Sequence, residues 1–181
     1  PEITTAAIIV LEAIAEKYGH MLNLHYVKAC SQSVEKSGEP LPAEALETCL
    51  QADAVLLGNT GLEKYKNLPL SKRPEYALLK LRKELKVTTN IRPVHVYPEL
   101  KPLSPLNQKA LSKGLDYLFV RDIAGGVLCS DQVKGEGENG PEAYEYEYYN
   151  QKIVEETAGL AFELAKARKG KVVSLDKANV L

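Results

Sequence analysis

The sequence predicts an open α/β fold with a largely parallel sheet. Three observations carry that expectation: apolar positions at helical spacing alternate with short apolar runs, Gly or Pro bounds many of these segments, and 45% hydrophobic against 26% charged residues is an ordinary globular mixture. At 181 residues the chain has room for one domain, or one and part of another.

Pro1 suits a first helical position, where its missing N–H costs nothing. Ile3, Ala7, Val10, Leu11 and Ile14 then recur at helical spacing as far as Tyr18, and Gly19 supplies the stop. Leu22, Leu24 and Tyr26 alternate with Asn23 and His25, the pattern of a half-buried strand. A polar loop over 31–39 leads to Pro42 and a helix carrying Ala45, Leu46, Cys49 and Leu50. The continuous apolar run 54–57, ending at Gly58, reads as a strand buried on both faces. Pro74 opens a helix with Leu78, Leu79, Leu81 and Leu85. Residues 91–97, interrupted by Pro93, and 116–120 read as strands. The longest helix is expected over 150–169, and a final strand over 171–174.

The stretch 131–150 breaks the alternation. Glycines sit among glutamates, followed by Tyr144-Glu145-Tyr146-Glu147-Tyr148, a period of two that gives one aromatic and one charged face. Such a segment suits a hairpin or arm that pairs with a second subunit; an ordinary edge strand of its own domain is the alternative. Within it, residues 135–140 match G-x-G-x-x-G. They neither follow a strand directly nor open a helix, and two glutamates would repel a pyrophosphate, so an acidic turn is expected instead.

Composition excludes several classes of function. A formal charge of −1 leaves no basic field for a nucleic-acid backbone. The longest apolar run, 6–11, is far below the roughly 20 residues of a membrane span. Cys30, Cys49 and Cys129 are an odd set with no C-x-x-C pair, which fits a reducing, cytoplasmic compartment better than a disulfide framework. His20, His25 and His95 have no metal-ligand spacing and read as structural. The chain opens at Pro1 and stops at Leu181 without a polar tail, so a piece of a longer protein is expected.

The arginines carry more chemistry. Arg82 lies on the helix opened by Pro74, Arg92 enters the next strand, and Arg121 ends the strand after it, where open α/β sheets place ligands. Guanidinium forks bind carboxylates in a planar, bidentate way. The alternative for Arg82 is a solvated helix face. Lys177, in a strand-end segment, would be a usable proton carrier if it entered a cleft lined by arginines, and an ordinary surface lysine otherwise.

In order along the chain stand Leu78-Leu79-Lys80-Leu81-Arg82-Lys83, Asn90-Ile91-Arg92-Pro93, Ser104-Pro105-Leu106, Val120-Arg121-Asp122, Gly125-Gly126 and Asp176-Lys177-Ala178-Asn179-Val180-Leu181. This ordered set, spanning the whole chain, resembles the isopropylmalate branch of the decarboxylating isocitrate/isopropylmalate dehydrogenases. The resemblance implies oxidation of a small 2-hydroxy acid with NAD and Mg2+ or Mn2+, loss of the β-carboxylate, a place in leucine biosynthesis, and a homodimer. It implies that Arg82, Arg92 and Arg121 clamp the malate carboxylates while Leu78, Leu79 and Val180 receive the isopropyl branch. Glu75 and Asn179 would stand on the cofactor side. Lys177 would reach the partner subunit's site and move protons. The implied division is 1–92 as part of a first, cofactor-side domain and 93–181 as most of a second, with the dimerisation arm at about 131–150. The metal ligands are expected beyond Leu181.

Three departures stand out. The tyrosine with which the family protonates the product enol is Leu128 here, the Gly-Gly-Pro loop is Thr60-Gly61-Leu62-Glu63, and family members are about twice this length. The first two leave room for a catalytically impaired paralogue acting as a binding or regulatory subunit. A dehydrogenase of another alkylmalate is a third reading. The fragment by itself is expected to be inactive.

Overall fold

A computed structural model describes residues 2–129 and 132–179; the side chains of Leu128 and Gln132 lie outside the described set. The chain forms two compact units, Pro1–Lys86 and Val87–Leu181.

The first unit is helical: α1 (Glu2–Tyr18), α2 (Cys30–Ser37), α3 (Ala43–Gln51) and α4 (Pro74–Glu84), with 3-10 turns at Glu63–Tyr65 and Leu70–Lys72. Pro74 takes the first turn of α4, as its missing N–H allows. Ala77 and Leu81 then fall on one stripe and meet Cys30, Leu41, Ala45 and Cys49 in a single buried cluster. Helix α2 is a correction to the expected polar loop. Its eight residues are mostly polar, it opens on Cys30 at φ 57°, and it closes on Gly38 in the left-handed conformation, whose N–H caps the Val34 carbonyl.

The second unit contains β1 (Thr89–Val96), α5 (Gln108–Leu111), β2 (Leu115–Asp122), β3 (Gln132–Gly137), β4 (Gly140–Glu145) and α6 (Gln151–Lys166). β1 and β2 pair antiparallel with Thr89 opposite Asp122 and Val96 opposite Leu115. Pro93, inside β1, lies opposite Leu118; with two strands in the sheet every strand is an edge, where proline is tolerated. Side chains alternate across the sheet, so Thr89, His95 and Asp116 share one face. Helix α6 is tied to that face, through Thr157 to Thr89 at 3.1 Å and through Arg168 to Asp116 at 2.5 Å. Its start is set by Asn150, whose side chain accepts the Ile153 N–H.

The α/β class stands, but the largely parallel sheet does not: among the described residues both ladders are two-stranded and antiparallel. The expected strands over 22–26, 54–57 and 171–174 have no ladder. A parallel strand exists only by pairing with a neighbour reached through a crossover, and none of these three runs pairs with another. The glycine-rich 135–140 stretch is the turn of the β3–β4 hairpin, with Gly137 opposite Gly140, which accords with its rejection as a nucleotide loop. The Tyr/Glu alternation leaves the ladder after Glu145.

Candidate functional site

In the first unit, helix α4 carries two stripes. Pro74, Ala77 and Leu81 are buried, whereas Glu75, Leu78, Leu79 and Arg82 recur at i, i+3, i+4 and i+7 and remain wholly or partly accessible. The two expected pocket leucines and Arg82 therefore share one surface strip with Glu75, one turn of helix apart.

Glu75 faces the loop that follows the third helix. A Cβ on Gly61 would fall on the Glu75 carboxylate, so the absence of a side chain there is what lets this carboxylate lie down on the loop. The loop is itself held: the Ser31 hydroxyl donates to the Thr60 carbonyl at 2.9 Å, and the Asn59 side chain accepts the Thr60 N–H at 3.0 Å. Asn59, Thr60, Gly61, Glu63, Arg73 and Glu75 line an open cleft of about 410 Å³. Its cations are engaged, Lys66 with Glu63 at 2.5 Å and Arg73 Nε with the Leu68 carbonyl at 2.8 Å. A carboxylate, an amide and a hydroxyl fit the hydroxyl- and amide-bearing end of a dinucleotide better than its pyrophosphate, which needs free N–H groups or cations. Burial first, then the Glu75 charge, pushes the Cys30 thiol up, away from the thiolate that reactive-cysteine chemistry needs.

In the second unit, Arg92 and Arg121 fall on the sheet face opposite the one that holds α6. Arg121 pairs across the strands with Asn90, and Arg92, two residues along from Asn90, donates to its side-chain oxygen at 2.8 Å. Both guanidinium-bearing residues are exposed at the end of the sheet where β1 begins and β2 ends. Asn90 sits between them, a role that no sequence pattern announced.

Beyond Arg121 the chain turns. The Asp122 carboxylate accepts the N–H groups of Ala124 at 2.7 Å and Gly125 at 3.2 Å. Gly126 adopts φ +69°, and its N–H donates to the Tyr148 carbonyl at 2.9 Å. The ring of Tyr149 lies on these two glycines, 2.7 Å from where a Cβ on Gly125 would stand. Lys177 and Asn179 are exposed, in a turn where Asp176 accepts the Ala178 N–H at 3.0 Å. Val180 lies outside the described residues. Arg82 belongs to one unit and Arg92, Arg121 and Lys177 to the other.

Among the described residues no three His, Cys, Asp or Glu side chains gather as metal ligands. No described helix is long and apolar enough to cross a membrane. Cys30, Cys49 and Cys129 are free thiols.

Comparison with known proteins fits this layout. The isocitrate/isopropylmalate dehydrogenase model matches residues 1–181. The chain belongs to that family. It is 41% identical to the 3-isopropylmalate dehydrogenase of Clostridium pasteurianum, covering 100% of this chain and 51% of that one. Its identity to the Thermotoga maritima 3-isopropylmalate dehydrogenase is also 41%, again over 100% and 51% of the two chains. In structure it is similar to an apo β-decarboxylating dehydrogenase from Thermococcus kodakarensis, with a TM-score of 0.67, 25% identity, and coverage of 100% of this chain and 46% of that one. The chain thus spans about half the length of the isopropylmalate dehydrogenases it matches.

Proposed function

We propose that the protein to which this chain belongs is an NAD-dependent oxidative decarboxylase of 3-isopropylmalate, working as a homodimer with Mg2+ or Mn2+. The observation that carries this reading is the pair Arg92 and Arg121, exposed together on one sheet face with Arg92 held by Asn90, in a chain about 40% identical to isopropylmalate dehydrogenases. Two guanidinium forks hold carboxylates in fixed planes, and their charge stabilises the enolate that forms as CO2 departs. Arg82, on α4, supplies a third carboxylate contact. Leu78, Leu79 and Val180 receive the branched alkyl group, and an extra carboxylate placed against them would be left unpaired at high cost. Glu75 and Asn179 contact the cofactor. Lys177 moves the proton at the hydroxyl from the partner subunit. NAD, when bound, takes the hydride from the hydroxyl-bearing carbon.

Full-length protein assayed with NAD and Mn2+ should reduce the cofactor with 3-isopropylmalate and not with isocitrate or tartrate; equal turnover of isocitrate would sink the substrate assignment. The 181-residue chain alone should be inactive, because it spans about half the length of the isopropylmalate dehydrogenases it matches. Leu128 favours a second reading, an impaired paralogue. Its signature is an inert full-length protein that gains decarboxylation with Leu128→Tyr.

A further inference from the structure

Removing CO2 from a 3-oxo acid leaves an enol, and the enol carbon must take up a proton before product leaves. The residue at 128 is a leucine, which has none to give. We propose that Tyr149 supplies this proton, its phenol lying against the glycines of the turn after β2. The inference rests on the decarboxylation proposed above.

Four observations place the group. The phenol oxygen of Tyr149 lies 2.7 Å from where a Cβ on Gly126 would stand. Gly126 is two residues from Leu128, so their Cα atoms are at most about 7 Å apart. The turn follows directly on Arg121, the carboxylate-binding residue at the end of β2, and Asp122 closes it by accepting two backbone N–H groups. Finally, the ring is held rather than loose. It packs on Gly125 and Gly126, either of which would displace it by carrying a side chain, and the Gly126 N–H to Tyr148 carbonyl bond anchors the backbone immediately before it. The neighbouring Tyr148 is set apart by position: its hydroxyl meets the Asn150 side chain, from which it accepts at 3.2 Å, and the atoms nearest the two glycines belong to Tyr149.

The step balances without another reagent. The enol carbon takes the phenolic proton as the enol O–H proton passes to Lys177, the proton carrier proposed above, giving the 2-oxo acid and a phenolate. The phenolate recovers its proton from water, which reaches it because Tyr149 is 54% exposed. No bond is oxidised or reduced.

The test uses full-length protein and four variants. Tyr149→Phe keeps the ring on the diglycine and removes only the proton, so kcat should fall about 100-fold or more while KM stays within about twofold, the scale of a lost general acid. Tyr148→Phe should turn over as wild type. Tyr149→Phe with Leu128→Tyr should recover most of the lost rate, which restoring a merely structural contact at 149 would not do. In D2O, wild type should place deuterium on one face of the product's C3, and Tyr149→Phe should scramble it. A Tyr149→Phe variant with kcat within twofold of wild type and unscrambled product overturns the inference while leaving the proposed reaction standing. A wild type inert on 3-isopropylmalate overturns both.

Discussion

In the first unit six side chains, from Cys30 to Leu81, are packed into one buried cluster. In the second, Leu111 is the one apolar side chain buried to that degree among the described residues, while Ile91, Tyr117 and Phe119 on its sheet are each more than 40% exposed. Helix α6 buries no residue completely. Both units come from one ordinary composition, so the contrast lies in topology. Helices can close a core on one another, as α2 and α3 do with α4, whereas a two-stranded sheet has two faces and α6 can cover only one. A two-stranded sheet is marginal by itself in water. The relatives, about twice as long, have further chain with which to build on such a sheet.

Paired truncations sharpen this contrast most. Leu81→Ala, at a site 4% exposed, should cost the first unit about 2–5 kcal/mol in urea denaturation. Phe119→Ala, at a site 44% exposed, should cost the second about 1 kcal/mol or less. Equal costs would mean that the sheet face is covered in solution. The next effect compares two glycines of nearly equal backbone conformation, Gly38 at φ +70° and Gly126 at φ +69°. Alanine at Gly38 meets open space, so left-handed strain alone of about 1–2 kcal/mol is expected. Alanine at Gly126 adds a collision with Tyr149 and should cost more, with the excess vanishing in a Tyr149→Ala background. The smallest effect concerns Asp116. Its hydrogen bond from Arg168, aided by the charges of Arg168, Lys169 and His95, holds its carboxyl below the ordinary 3.8. A depressed folded value gives stability that is present above pH 3.8 and is lost as pH falls through the folded value. The thermal midpoint of wild type should therefore drop more steeply below pH 3.8 than that of Arg168→Ala, and parallel curves would refute the linkage.

Legibility in the sequence followed the same division. Helix α4 could be read from Pro74 and its leucine spacing, and the start of α6 from Asn150, because caps and periods are local signals. β1 and β2 were also readable, though not their direction, which depends on a partner 19 or more residues away. The runs at 22–26, 54–57 and 171–174 have strand composition without a strand, since hydrogen-bonded neighbours rather than composition make a ladder. Helix α2 was missed because its first residue has a positive φ and its side chains are mostly polar. Of the site, the strip Glu75, Leu78, Leu79 and Arg82 was visible as a spacing. The Ser31 bond to Thr60 joins residues 29 apart, and Tyr149 comes to Gly126 across the whole β3–β4 hairpin; neither leaves a mark on local sequence.

The cysteines have a practical consequence. Cys30 and Cys49 are buried, and burial pushes both thiols up, whereas Cys129 is exposed with its sulfur donating to the Ile123 carbonyl at 2.9 Å. A maleimide dye added near neutral pH should therefore attach at one position, immediately after Leu128. The molecule carries its own labelling handle, and the colour or anisotropy of that dye would report when an anionic ligand settles beside Arg121.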